Sequence, residues 1–404
     1  MNRMKFRFFL ACLVCVFSGV AAQAARSDAG YWTDPAVRKG LYVTASPDAG
    51  GRAEIRLGER RYCATGTNCY DLFLCSVKWN ADGTVSFDLA DSFETLDLLA
   101  REGVRIVRFN CGVYYAPELT AYTEHREAYL DALRQIAARA EELKIGLIPS
   151  LIWHFLAVPT FFDEPLRSWG ESHSRTSRFL EIYTRDVVEA LAGYKSIFAW
   201  EFGNEMNLQS DLPNWQTEFG RPGLENKLNG RDVRRAFEVF LKTVRRCDPD
   251  RRMTMSGNAT LRPEQYHLFS EGEWKTDDVR QYAKMTKMFN PGGMSTVTEH
   301  VYESGREFAD RGEVSLDEQL AVAMETAASL GKAYVVGEFG GVLSSEREYR
   351  KFYEAFRDAG VQLSLIWNFS LRGRIEHSFT ADSPRGTYLF RLIREYDGKC
   401  GEGR

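Results

Sequence analysis

Residues 197–205 read IFAWEFGNE, and residues 333–340 read AYVVGEFG. Each stretch opens with an apolar run, which predicts a strand buried on both faces, as in an all-parallel sheet. Each also brings a glutamate, Glu205 or Glu338, to the end of its predicted strand. The carboxyl ends of parallel strands in a closed barrel open onto one face, where active sites form. The two stretches therefore predict a pair of carboxylates facing one cleft.

Strand and helix patterns alternate along the rest of the chain. Eight strands are predicted, over residues 62–68, 104–110, 145–153, 197–202, 253–256, 295–301, 333–337 and 361–367. Eight helices follow them, over residues 92–101, 126–144, 177–191, 233–246, 278–289, 316–330, 346–359 and 388–396. This order predicts an α/β fold, a single (β/α)8 TIM barrel. An open doubly wound sheet is less favoured, because no glycine-rich phosphate loop follows the first strand.

A β-hairpin and several long loops are predicted in addition to the strands and helices of the barrel. A β-hairpin at residues 53–62, turning at Leu57-Gly58, precedes the first strand. Long βα loops, over residues 155–175, 206–230, 257–277 and 368–383, follow four of the strands. No repeat or linker divides the chain, so we expect one catalytic domain over residues 25–404.

The first 24 residues have the pattern of a signal peptide. Basic residues at 3, 5 and 7 precede an apolar segment at 8–20 and a small-x-small site at 22–24. We therefore expect a periplasmic or secreted protein. The apolar segment is too short to span a bilayer comfortably, and no later run reaches the required length. Cys12 lies too early in this segment for a lipid anchor to be expected.

Charge and cysteine content narrow the possible partners and the compartment. A formal net charge of −4 disfavours nucleic acid, which selects for basic surfaces. Six of the eight cysteines follow residue 24, and an oxidising compartment permits disulfides among them. Their connectivity does not follow from spacing. One pairing is offered as a hypothesis: Cys69 and Cys111, which end adjacent predicted strands.

Five motifs at predicted strand ends carry a resemblance to a known family. They are VRIVRFN at 104–110, WEFGNEMN at 200–207, EHVYE at 299–303, VVGEFGG at 335–341 and LIWNF at 365–369. Together, over residues 60–400, they resemble glycoside hydrolase family 5 of clan A, the cellulase and mannanase group. The resemblance implies a retaining β-glycoside hydrolase with a two-carboxylate mechanism. β-Mannan or β-glucan is the expected substrate, and the sugar, the linkage and endo or exo action stay open.

The resemblance also implies catalytic roles. Glu205 would be the general acid/base and Glu338 the nucleophile, with their carboxyl groups about 5–5.5 Å apart. Arg108 would keep Glu338 ionised by its charge and by a bidentate hydrogen bond, and Tyr302 would donate to Glu338. Burial and the charge of Glu338 would raise the pKa of Glu205, which must start protonated. His300 would lie beside the acid/base.

Other residues would bind the sugar. Asn204 would bond the 2-hydroxyl, and Trp367 would form an apolar floor under the reacting ring. His154 is either a substrate contact or a core or rim residue. Two departures from the family pattern leave the subfamily open: Met206 stands where many members have proline, and the third strand ends Trp153-His154-Phe155.

For several other residues near these motifs, a purely structural role stays open or is preferred. Trp153 and the loop residues Trp169, Trp215 and Trp274 either stack on sugars or pack within the protein. Glu201 is interpreted as structural, because strand alternation predicts that its side chain points away from that of Asn204.

The sequence also bears on two other functional classes. A carbohydrate-binding barrel without catalysis is the first alternative, and the presence of both glutamates argues against it. A metal-dependent barrel hydrolase would need a His-x-His motif, which the sequence lacks. We expect no metal or organic cofactor, because carboxylates fill both catalytic roles.

Overall fold

A computed structural model describes residues 29–45, 53–112, 115–213, 227–341, 343 and 345–401. The predicted signal peptide, with Cys12, and also Trp215 lie outside these residues. Within the described ranges, none of the helices combines the length and the apolar character needed to cross a membrane.

Eight parallel strands form the central sheet, as predicted. They are β1 Ala64–Asn68, β2 Ile106–Asn110, β3 Gly146–Ile152, β4 Ala199–Gly203, β5 Met253–Met255, β6 Thr296–Val301, β7 Ala333–Gly340 and β8 Leu363–Trp367. Their order in the sheet is β5-β4-β3-β2-β1-β8-β7-β6. The edge strands β5 and β6 approach each other where the Ser295 N–H donates to the Thr254 carbonyl at 3.2 Å. The sheet is therefore nearly closed, and the predicted (β/α)8 barrel is confirmed.

Eight long helices surround the sheet. They are α1 Ala90–Arg101, α2 Arg126–Glu142, α3 Arg175–Leu191, α4 Gly230–Cys247, α5 Val279–Phe289, α6 Leu316–Ser329, α7 Glu346–Ala359 and α8 Pro384–Tyr396. Strand β4 illustrates how strand and helix pack. The ring of Phe202 lies 4.7 Å from that of Phe237 and 5.7 Å from that of Phe240, both on α4. Since successive side chains alternate, the neighbouring Glu201 points into the barrel.

The amino end of the barrel is closed by a small antiparallel sheet. The predicted hairpin is present as strands Ala53–Leu57 and Arg60–Arg61, and a further strand, Leu41–Ala45, pairs with the first of these. Leu41 and Ile55 are fully buried and belong to one apolar cluster with Phe198, just before β4. This sheet leaves the opposite end of the barrel free for a cleft.

The predicted disulfide between Cys69 and Cys111 is wrong. Both are buried free thiols, and the structure instead joins Cys63 to Cys400. The Cys69 thiol contacts Asp71 at 3.8 Å, whereas that of Cys111 lies 4.0 Å from the Tyr183 hydroxyl. The two thiols thus have separate neighbours, although their strands are adjacent. The observed bond ties the end of the chain to the segment before β1.

Candidate active site

Glu205 lies two residues after the end of β4 and has a left-handed backbone conformation. Its φ angle is 49°, a conformation that is uncommon for residues other than glycine. Its N–H donates to the Gly257 carbonyl at 2.7 Å, and the following Met206 is buried in the core. The turn directs Glu205 into the cleft above the barrel, where its side chain is 25 % exposed. Backbone strain of this kind is typical of functional sites.

Glu338 lies inside β7 and faces Glu205. Strand β7 continues to Gly340, so Glu338 sits within the strand rather than beyond it, and its side chain is 4 % exposed. One carboxylate oxygen of each glutamate and one ring nitrogen of His300 all lie within 4.8 Å of one another. Oxygens this near each other are compatible with the carboxyl separation of about 5–5.5 Å that retaining glycosidases use.

Arg108 lies fully buried beneath the two glutamates. Its Nη1 atom donates to Glu338 Oε1 at 2.6 Å and to Asn68 Oδ1 at 2.9 Å, and its Nη2 atom donates to Asn204 Oδ1 at 2.9 Å. Its Nε atom donates to both carboxylate oxygens of Glu201. The expected bidentate bond to Glu338 is therefore wrong, because the guanidinium divides its donors among four side chains.

The expected orientation of Glu201 is also wrong. Glu201 and Asn204 bond the same guanidinium, that of Arg108, so their side chains converge. Strand alternation holds only as far as Gly203, where β4 ends, and Asn204 already lies in the turn. Asn68, at the end of β1, is a further site residue that the motifs missed. Its position at the carboxyl end of a barrel strand was the available signal.

His300 and Tyr302 contact the two glutamates, as the resemblance implied. The Tyr302 hydroxyl donates to Glu338 Oε2 at 2.6 Å. The Nδ1 atom of His300 lies 2.9 Å from Glu205 Oε1 and 3.5 Å from Glu338 Oε1. Burial lowers the pKa of His300 to about 4, so this imidazole is neutral at ordinary pH.

The two glutamates differ both in exposure and in their neighbours. Burial raises the pKa of Glu205, and only the charge of Arg108 opposes the rise. Burial and the charge of Glu205 raise the pKa of Glu338, whereas the neighbouring His300, the charge of Arg108 and the hydrogen bond from Tyr302 oppose the rise. Since Glu338 accepts a bond from a cation, we infer that it loses its proton before Glu205 does.

An open cleft of about 800 Å³ lies above the pair. Its floor holds an aromatic cluster in which the Trp153 ring lies 4.9 Å from that of Tyr70 and 6.1 Å from that of Trp367. The Arg108 guanidinium lies over Trp153 at 4.7 Å, so Trp153 both supports the site and lines the cleft. His154 lines the cleft too, and burial lowers its pKa to about 4.

Two of the remaining tryptophans pack within the protein. Trp169 is buried, and its indole N–H donates to the Phe155 carbonyl at 2.8 Å. Trp200 is buried, and its indole N–H donates to Asp248 at 2.9 Å. Trp274 is 55 % exposed and is absent from the described residues that line the cleft.

The side chains around Glu205 and Glu338 suit acid–base chemistry better than they suit a metal centre. Arg108 already places a fixed cation against Glu338, and a second cation there would meet direct repulsion. The oxygens of Glu338 also accept from Tyr302, and Glu205 is bonded to His300. Two facing carboxylates in these surroundings can act as an acid/base and a nucleophile.

Comparisons with known proteins agree with this geometry. The profile of the cellulase family, glycosyl hydrolase family 5, matches residues 74–372. No curated protein is significantly similar to the chain in sequence.

Similar solved structures show the same fold. A β-1,4-D-mannanase from Cryptopygus antarcticus superposes with a TM-score of 0.58 at 14% identity, over 88% of this chain and 94% of that one. A family 5 mannosidase from Rhizomucor miehei gives 0.58 at 11% identity, over 88% and 96%. The catalytic domain of an endoglucanase from Thermobifida fusca, in complex with cellotetraose, gives 0.53 at 12% identity, over 88% and 98%.

Proposed function

The chain belongs to glycosyl hydrolase family 5 and is a β-glycoside hydrolase, and on this premise we propose that it cleaves β-mannan or β-glucan by a retaining double displacement. The observation that carries the proposal is the pair of facing carboxylates, Glu205 and Glu338, with oxygens within 4.8 Å.

In the first step, Glu338 attacks the anomeric carbon and forms a covalent ester. The glycosidic C–O bond breaks as Glu205 gives its proton to the departing oxygen. In the second step, water attacks the same carbon while Glu205 takes a proton from the water. Glu338 then leaves as a carboxylate, and the product keeps the β configuration.

The neighbours of the pair have supporting roles in this proposal. Arg108 and Tyr302 favour the ionised nucleophile by donating to opposite oxygens of Glu338. The neutral His300 holds the Glu205 carboxyl in position. Arg108 also fixes the amide of Asn204, which lines the cleft and can bond the sugar 2-hydroxyl.

The cleft supports a polysaccharide or oligosaccharide as substrate. Apolar ring faces in a cleft suit the C–H faces of sugars, and Trp367 would form the floor of the reacting subsite. The neutral His154 would offer a polar contact to a hydroxyl group. The similar solved structures include mannanases and an endoglucanase, so β-mannan and β-glucan are the first substrates to assay.

We further propose that the protein is exported. The signal-like pattern of residues 1–24 supports this, as does the Cys63–Cys400 bond, since disulfides persist in oxidising compartments. Sequencing the amino terminus of the protein recovered outside the cytoplasm tests it. A mature chain that still begins at Met1 would contradict export through this segment.

Azide rescue tests the assignment of the two glutamates. The variants Glu338→Ala and Glu205→Ala should both lose turnover of an aryl β-glycoside, and azide should restore it in each. Azide replaces the nucleophile in the first variant and gives the α-glycosyl azide. It intercepts the covalent intermediate in the second and gives the β-glycosyl azide.

Proton NMR of the two products distinguishes these outcomes, and wild-type enzyme with azide is the control. The same anomer from both variants would reject the assignment. A wild-type protein that binds mannan or glucan without turnover would instead be a carbohydrate-binding barrel.

A further inference from the structure

Glu201 is a buried carboxylate that the proposed mechanism does not use. Its side chain and that of Arg108 are both fully buried, and they form an ion pair. Arg108 stands on β2 and Glu201 on β4, so the pair crosses the barrel interior over the intervening strand β3. A fully buried carboxylate is costly unless it is paired, so the contact calls for a specific role.

The contact fixes the direction of the other guanidinium donors. The guanidinium is planar and rigid, and its Nε edge donates to both oxygens of Glu201. Holding that edge sets where Nη1 and Nη2 point. They point at Glu338 and Asn204, the nucleophile and the proposed sugar ligand.

The chain leaves space for the Glu201 carboxylate. Gly257, just after β5, has a φ angle of +67°, and a Cβ atom there would lie 1.8 Å from the Gly203 carbonyl oxygen and 2.1 Å from Glu201 Oε1. A side chain at this position would therefore displace the end of β4 together with Glu201. The carbonyl of Gly257 also accepts the N–H of Glu205. The Glu201 carboxylate and the backbone of the acid/base thus pack against one residue.

We propose that Glu201 is a positioning residue, whose carboxylate orients the Arg108 guanidinium toward Glu338 and Asn204 and shares its positive charge with the nucleophile. This inference rests on the proposed function, since it assigns a role within that reaction. Glu201 does not touch the cleft and acts only through Arg108.

Replacing Glu201 by glutamine keeps the shape and removes the charge. The charged or titratable groups that face Glu338 are Arg108, Glu205, His300 and Tyr302, and Glu201 lies behind Arg108. Without Glu201, the charge of Arg108 acts on Glu338 alone. The pKa of Glu338 should then fall, and the acidic limb of kcat/KM should move down by about 1 pH unit.

The experiment measures two quantities in wild type and Glu201→Gln. One is the pH profile of kcat/KM with a 2,4-dinitrophenyl β-glycoside that wild type turns over. The other is the carboxylate ¹³C NMR titration of Glu338, assigned with Glu338→Gln. Asp248→Asn is the matched control, because Asp248 forms another fully buried pair, with Arg252, at the amino end of β5.

A downward shift of the limb and of the Glu338 titration, with neither moved in the control, supports the proposal. If Glu201→Gln only lowers Tm, as the control does, and leaves the acidic limb and the Glu338 titration unmoved, the proposal is overturned. Glu201→Asp keeps the charge on a shorter stem. Glu201→Asp should lower kcat but leave the acidic limb of kcat/KM within a few tenths of a pH unit of its wild-type position. An acidic limb displaced as far as in Glu201→Gln would count against the proposal.

The NMR titration separates this inference from the proposed function because it needs no substrate. A shifted Glu338 signal in a protein without turnover would support the positioning contact and reject the hydrolase mechanism. Turnover with an unshifted Glu338 signal would support the hydrolase mechanism and reject the positioning contact.

Discussion

Removing the Tyr302 hydroxyl should raise the pKa of Glu338, the proposed nucleophile. In Tyr302→Phe, Glu338 Oε2 loses a donor at 2.6 Å, while the Arg108 bond to the other oxygen remains. Burial raises the pKa of Tyr302 well above its usual value, so the hydroxyl stays protonated and available as a donor throughout the working range. The substitution therefore removes one hydrogen bond to the ionised form of Glu338 and leaves the ring in place.

The size of the effect follows from the type of bond. A hydrogen bond to a charged group contributes about 1.5–3 kcal/mol. One pKa unit corresponds to about 1.4 kcal/mol, so the pKa of Glu338 should rise by about 1–2 units. Turnover needs the ionised nucleophile, so activity is lost as pH falls through this pKa. The acidic limb of kcat/KM should consequently move upward by the same 1–2 pH units.

The assay is kcat/KM against pH, with an aryl β-glycoside whose leaving group departs without protonation. Such a substrate makes the acidic limb report Glu338 rather than Glu205. Tyr282→Phe is the matched control, because the Tyr282 hydroxyl donates at 2.8 Å to the buried Glu299 outside the cleft. An acidic limb that stays in place in Tyr302→Phe, or moves equally in both variants, would refute the reasoning.

Two further changes test other parts of the structure. Glu205→Ala should reduce kcat most for substrates with poor leaving groups, because these leaving groups need protonation. A plot of log kcat against leaving-group pKa should therefore be steeper for the variant than for wild type. Parallel plots for the two proteins would contradict the acid role. Cys400→Ser should lower the free energy of unfolding by about 2–5 kcal/mol and leave kcat nearly unchanged, as measured by thermal denaturation and initial rates. An unchanged Tm in that variant would show that the Cys63–Cys400 bond does not stabilise the fold.

The sequence predicts the barrel well because its signals are local and repeated. Each strand is an apolar run of several residues, and each helix shows apolar positions at helical spacing. The main error in strand length occurs in β7, which was predicted to end at residue 337 but continues to Gly340. A glutamate normally argues against a buried strand. Glu338 is accommodated there because Arg108, from another strand, supplies the countercharge.

The division of the Arg108 donors was not predictable from local patterns. Strand alternation states which side of a sheet a residue faces, but it does not rank partners that converge from different strands. The five motifs therefore identified Arg108, Glu338 and Asn204, yet they missed Asn68 and the contact between Glu201 and Arg108.

The disulfide error has a related cause. Cys63 and Cys400 are separated by 337 positions and meet only because the last helix returns beside β1. Adjacent strand ends suggested Cys69 and Cys111 instead, but adjacency of strands does not set the direction in which two thiols point. In the structure the Cys69 thiol points to Asp71 and the Cys111 thiol points to Tyr183.

Glu205 and Glu338 start from the same side-chain chemistry, so the different roles proposed for them must come from their surroundings. Glu338 is held within a strand by donors on both oxygens, whereas Glu205 lies in a turn, partly exposed, beside a neutral imidazole. On the proposed mechanism, formation of the ester removes the negative charge of Glu338. The pKa of Glu205 should then fall, because a nearby like charge has gone. The same arrangement that supplies an acid for the first step therefore supplies a base for the second.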